Sequence, residues 1–152
     1  MLKPMERRMF IKGTLLMLSV IAGLSVVSCA PAAAPTSSLK ITSPAANVKV
    51  TGPKVKVEAE VTGLTLVDAN IAPNEGEGHL HFFVDTAASS IAVGQAIPAD
   101  QPAKYVHLGK VPYNSRELEL AKGQHTITVV AANAAHVVLA QPARATVTFT
   151  VE

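Results

Sequence analysis

The sequence predicts an all-β sandwich carried behind an export leader. Three observations predict it. Beyond Leu39 the hydrophobic period is close to two, with apolar and polar side chains alternating in several short runs. No stretch in that region carries the apolar stripe of an amphipathic helix. Nine of the ten Pro lie beyond the leader, at positions that read as loops or strand ends.

The leader comes first. Lys3, Arg7, Arg8 and Lys12 make a basic start, and Thr14 to Val27 follow as an apolar run. The run ends at Val26-Val27-Ser28-Cys29. A basic region, a short apolar region and a small-residue site form a secretory signal. The apolar run is short for a membrane span, which needs about 20 residues. Glu6-Arg7-Arg8-Met9-Phe10-Ile11-Lys12 resembles the twin-arginine export motif, with Arg7 and Arg8 as its pair. Val26 to Cys29 resembles a bacterial lipobox, in which the Cys is lipidated and becomes the new N-terminus. The plainer alternatives are a general secretory signal with a chance Arg pair, and an unmodified Cys29. The expected organisation is a signal peptide helix over residues 1–28, a flexible tether over 29–38 and a folded domain over 39–152. The expected location is the bacterial cell envelope, with the membrane engaged through lipid on Cys29.

The leader also explains the charge. The chain has 152 residues and a formal net charge of +2. Four of its 13 basic and one of its 11 acidic side chains precede Cys29, which leaves nine against ten and a balance of −1. The apparent basicity therefore belongs to the leader, and no basic stretch interleaved with aromatics remains. Nucleic acid is excluded as a partner. Cys29 is the single Cys, so an internal disulfide and a Cys-cluster metal site are excluded too. The tether, Ala30 to Ser38, has two Pro, no charge and no large side chain, so it holds no core.

The strands follow in order. Ile41, Val48 and Val50 mark an early strand broken at Ser43-Pro44. Val55, Val57, Ala59 and Val61 alternate with Lys54, Lys56, Glu58 and Glu60, as in a strand with one buried and one wet face. Leu80, Phe82 and Val84 alternate with His79, His81 and Phe83, and the first three are assigned to the core. Tyr105 to Leu108 is a short strand, and Leu118 and Leu120 alternate with Glu117 and Glu119. Thr126 to Ala132 is a β-branched run, fit for a strand buried on at least one side. Ala145, Val147, Phe149 and Val151 alternate with Arg144, Thr146, Thr148 and Thr150 in the last strand. Leu120-Ala121-Lys122-Gly123-Gln124-His125-Thr126 resembles the corner of immunoglobulin-like bacterial domains, where a Leu-x-x-Gly turn feeds a long central strand. The fold class is thus an immunoglobulin-like antiparallel β-sandwich of about seven strands.

All five His lie in this domain. His79 and His81 stand at i and i+2, so on a strand both point to one face, roughly 6.5–7 Å apart. Imidazole is the commonest protein metal ligand, and two so placed can converge on one ion. With Leu80, Phe82 and Val84 in the core, the pair faces outward or lies under a loop. Asn74-Glu75-Gly76-Glu77-Gly78 leads into it and brings two carboxylates. The candidate metal ligands are His79, His81 and His107, with Asp85, His125 and His136 as additional candidates. The metal would be copper or zinc. The alternative is architectural: His125 as a corner residue bonding nearby backbone, His136 as a solvated loop residue, and His79 and His81 pinning loop backbone.

Five blocks carry a resemblance. They are Gly76-x-Gly78-His79-x-His81-Phe82-x-x-Asp85, Gly94-Gln95-x-Ile97-Pro98, His107-Leu108-Gly109-Lys110, Leu120-x-x-Gly123-x-His125-Thr126, and His136. In order and spacing they resemble the bacterial domain of unknown function 4399, over roughly Gly76 to Val151. The resemblance implies a small exported protein, often a lipoprotein, and implies no activity. Two departures stand out. Leu80 takes the middle of what is usually a run of three His, and Val111 to Glu117 replaces a Gly-Gln-Thr-Glu-like stretch. Gly78-His79-Leu80-His81 also looks like the copper-ligand strand of copper/zinc superoxide dismutases. That enzyme needs a disulfide this chain cannot form, and a His-rich zinc loop is not evident, so dismutase activity is not expected.

No Gly-x-Ser-x-Gly elbow, phosphate-cradling loop or Cys nucleophile is present. The expected function is a non-enzymatic, envelope-anchored binding domain that takes copper or zinc through the His-x-His strand. The alternative is a structural or interaction module that meets another envelope protein.

Overall fold

The computed structural model describes residues 37–70 and 74–152. The signal peptide, Arg7, Arg8, Cys29 and the tether up to residue 36 lie outside the described residues. Nine strands form two sheets, and no α-helix occurs among the described residues. In order they are β1 (Ser38–Ser43), β2 (Lys49–Val50), β3 (Lys54–Thr62), β4 (Thr65–Leu66), β5 (Glu77–Val84), β6 (Tyr105–His107), β7 (Ser115–Glu119), β8 (Gly123–Ala132) and β9 (Ala145–Val151). Seven of the nine are three residues or longer. A single 3₁₀ turn, Ala88–Ser90, follows β5.

One sheet runs β1-β3-β7. The other runs β2-β9-β8-β5-β4, with β6 also pairing β5. The long pairings are antiparallel, as expected. The two-residue strands β2 and β4 differ: they lie parallel to β9 and β5. The early strand breaks after Ser43, so that β1 joins one sheet and β2 the other.

Alternation in the sequence becomes burial in the structure. Val55, Val57 and Ala59 of β3 and Leu118 of β7 face Leu80, Phe82, Ile127, Val129, Val147 and Phe149 of the other sheet. Each such large apolar side chain contributes about 1.5–3 kcal/mol when fully buried. Across β8 and β9, Thr126 meets Thr148 at 3.0 Å and Thr128 meets Thr146 at 2.9 Å. These cross-strand hydroxyl pairs lie on the face turned from that core and help set the register.

The central pair β5–β8 departs from the simple one-wet-face pattern. Its second face is covered by the chain between β5 and β6 and by the chain between β8 and β9. Phe83, Val130 and Ala132 pack there with Tyr105, Ile91, Ile97 and Val138. His79 and His81 share that face and are 0% and 3% exposed. Of the two expected placements for this pair, the structure rejects the outward one. The physical reason lies in the long β5–β6 connection, whose scattered Ile91 and Ile97 have no strand of their own and bury themselves against the sheet.

Candidate metal centre

Strand register brings the first three imidazoles together. His79 and His81 project from one face of β5. His107 of β6 stands directly opposite His81 in the antiparallel ladder. Leu108 donates its N–H to Leu80 at 3.0 Å, and Arg116 Nη2 donates to the His107 carbonyl at 3.0 Å. The backbone of His107 is thus fixed between the two sheets. Gly109 leaves room for its ring, because any Cβ at that position would run into His107 Cε1 and Nε2.

The fourth imidazole arrives on a turn. His79 pairs with Ala132, the last residue of β8, and the chain then reverses through Asn133. Asn133 Oδ1 accepts the N–H groups of Ala135 and Val137, each at 3.0 Å. Such a side chain closing a turn on following backbone is a strong local signal. His136 sits in that turn at φ 57°, a left-handed conformation that His tolerates better than most residues. Its own carbonyl accepts from Ile97. The turn hangs His136 over the β5 pair.

The resulting group is His79, His81, His107 and His136, with one donor nitrogen from each and all four within 4.8 Å of one another. Three nitrogens are closer still. His79 Nε2 and His81 Nε2 lie 3.1 Å apart, and His136 Nδ1 lies 3.3 Å from each. A tetrahedral ion with metal–nitrogen bonds of 2.0–2.1 Å keeps its ligands about 3.3–3.4 Å apart. The triangle therefore has the dimensions of a coordination shell. As a hydrogen-bonded set it fits poorly, since each ring nitrogen has one in-plane direction and can serve one neighbour only.

Burial keeps His79 and His81 neutral. Burial, followed by the neighbouring imidazoles, lowers the His79 pKa to about 4 and the His81 pKa to about 2. His107 is lowered by burial, His136 and Arg116, against the opposing pull of Asp68. Neutral imidazole is the ligating form, so at neutral pH no proton has to leave His79 or His81. Nδ1 of His79 and of His81 is buried without a hydrogen-bond partner among the described residues. The Tyr105 backbone lies close enough to His81 to favour its charged form slightly, against the larger effect of burial.

The other expected ligands go elsewhere. Asp85 and His125 do not join the group. Asp85 follows the last residue of β5, past the end of its alternation, at φ 46°. Its Oδ1 accepts the Thr126 N–H at 2.8 Å and its Oδ2 lies 2.7 Å from His125 Nδ1. The other nitrogen of His125 lies 2.8 Å from the Ala121 carbonyl. That pattern matches the corner role. Burial opposes the charge on His125, but the Ala121 carbonyl and the Asp85 carboxylate raise its pKa. Glu77, expected beside the imidazoles, instead accepts the N–H and side-chain amide of Asn74 at 2.7 and 3.0 Å. Asn133 is not marked by sequence reasoning, and Gly109 is marked only within the His107-Leu108-Gly109-Lys110 block. The Asn-x-x-His spacing before the last strand was the available signal for the first.

A family model described as a domain of unknown function (DUF4399) matches residues 57–152. The chain belongs to this family. All four clustered His lie inside the matched segment. No curated protein matches. Among solved structures, the chain is similar to the fibronectin(III)-like modules of Clostridium thermocellum CbhA, at 18% identity and a TM-score of 0.45, over 75% of this chain and 95% of that one. It is also similar to an engineered protein at 17% identity and a TM-score of 0.46, over 78% of this chain. The chain spans 21% of that engineered protein's length.

Proposed function

We propose that this DUF4399 domain binds one copper or zinc ion through His79, His81, His107 and His136. The observation that carries the reading is the triangle of ring nitrogens at 3.1–3.3 Å, two of them on His79 and His81, which burial holds neutral. Imidazole donors suit copper and zinc, and copper(II) binds such nitrogen sets most tightly among the divalent first-row ions. The reading is of a binding domain: among the described residues the donor group is four imidazoles. Residues 1–28 fit export through Arg7 and Arg8, and Cys29 fits lipid attachment that would hold the domain at the envelope.

Titration of the full chain with copper(II) and zinc(II) tests the site. One ion per chain is expected for the wild type, and a large loss of affinity for His79→Ala and His81→Ala. Unchanged affinity in both variants refutes the site. Elemental analysis of protein purified from its own cells identifies the metal. Mass spectrometry of the membrane fraction checks the lipid, and a soluble protein with unmodified Cys29 would sink the anchor.

A further inference from the structure

The four imidazoles are not equivalent. His79 and His81 are buried, His136 is half-buried and His107 is exposed. The 3.1–3.3 Å contacts join His79, His81 and His136 and leave His107 out. The His107 ring stacks on His81 instead, with centroids 4.9 Å apart and planes 20° from parallel. A ligating nitrogen directs its lone pair in the plane of its ring. Two near-parallel stacked rings therefore do not aim at one point, and His107 must rotate to reach an ion that His81 already holds. Its backbone is pinned by Leu80 and Arg116, so the side chain alone makes that movement.

We propose that His79, His81 and His136 hold the ion and that His107 is an exchangeable fourth ligand, leaving one coordination position for a donor from outside the chain. This rests on the metal-binding reading above. Three protein ligands with one open position is the arrangement that lets a bound ion accept a further group, whereas four fixed ligands close the site. The exposure of His107 gives the external donor its approach, and a single lone-pair donor of imidazole size matches the group it replaces. The bond between metal and His107 breaks as the bond to the incoming donor forms, with no change in oxidation state.

The test loads copper(II) onto the full chain and follows its visible and electron paramagnetic resonance spectra during addition of free imidazole. His107→Ala and His107→Gln should still bind one copper, with a loss no larger than the roughly 10–100-fold of an outer-shell change. His81→Ala should lose more than about 100-fold. Imidazole should shift the spectra of both His107 variants toward the wild-type form. The wild-type spectrum should move little, because an added imidazole that displaces His107 replaces one imidazole with another. The proposal is overturned if the His107 variants lose as much affinity as His81→Ala, or if their copper spectra ignore imidazole. A wild-type chain that takes up no copper removes the metal-binding reading itself, which is a different failure.

Discussion

Two histidine sites stand at opposite ends of the β5–β8 pair, and they solve opposite problems. At one end His79, paired with Ala132, and His81, paired with Val130, join His107 and His136. Their donor nitrogens crowd one another, and two Nδ1 atoms have no partner. At the other end His125 has both ring nitrogens on oxygen acceptors, the Asp85 carboxylate and the Ala121 carbonyl. A ring that faces two acceptors is satisfied when it is protonated and donates twice. The corner is complete within the protein. On the proposed reading the crowded donors at the four-His end are left for a cation from outside, while Nδ1 of His79 and of His81 finds no partner among the described residues. The difference teaches that a buried His belongs to structure or to ligand binding according to whether its nitrogens find partners in the chain.

Metal addition should separate the two ends most strongly. A ligand that binds only the folded state stabilises it by about 4 kcal/mol at a thousand times its dissociation constant. Thermal unfolding of the wild type should rise accordingly with copper(II). His125→Ala should keep that gain, and His81→Leu should lose it. A loss of the gain in His125→Ala, or its survival in His81→Leu, would break the comparison.

Removing a histidine should also have opposite signs at the two ends in metal-free protein. Nδ1 of His81 is a buried polar atom without a partner, and such a group costs about 1–3 kcal/mol. His81→Leu should therefore make the metal-free domain more stable by roughly 1–3 kcal/mol while abolishing metal binding. Chemical denaturation checks this. A destabilised His81→Leu would show that the imidazole is architectural.

Alternation carried most of the fold in the sequence, since each of Val55 to Val61, Leu80 to Val84 and Ala145 to Val151 placed its own core face. It left open whether the face of His79, His81 and Phe83 looks outward or lies under a loop, because the cover over that face comes from Ile91, Ile97 and Val138. Those residues sit in irregular chain, where no period announces what they pack against. For the site, spacing gave the His79–His81 pair because both ligands lie on one strand. The rank of His136 above Asp85 and His125 could not be read locally. His136 depends on a turn closed by Asn133 and on β8 pairing with β5, which together bring it to His79, 57 residues away in sequence. Asp85 was misassigned because it stands one residue past the end of β5, where side-chain alternation no longer holds.

Smaller effects belong to the corner. Asp85 accepts from both the Thr126 N–H and His125, and its side chain is 47% exposed. Asp85→Ala strands both donors and should cost about 1–2 kcal/mol, less than a buried charged hydrogen bond because solvent screens it. Asp85→Asn keeps an acceptor for Thr126 and should cost under about 1 kcal/mol. Denaturation midpoints measured at low ionic strength check the order, and equal losses in the two variants would show that the charge on Asp85 is not felt by His125.

The pH dependence of metal-free protein should divide along the same line. His125 has a folded pKa raised above its ordinary 6.5, so the folded state binds its proton more tightly than the unfolded chain does. Its stabilisation is fully present below pH 6.5 and is lost as pH rises through the raised value. His79 and His81 run the other way. Their folded values are about 4 and about 2, so the unfolded chain takes up protons first as the medium is acidified. Their end is at full stability above pH 6.5 and weakens as pH falls toward 4 and below. The stability profile should therefore decline on both sides of a maximum near neutrality. His81→Leu should shallow the acid limb and leave the alkaline limb alone, whereas His125→Ala should do the reverse. Denaturation midpoints across pH 4 to 9 read both limbs in one series. If either substitution flattens both limbs together, the two histidine sites are coupled through β5 and β8, and each can no longer be treated as a separate device.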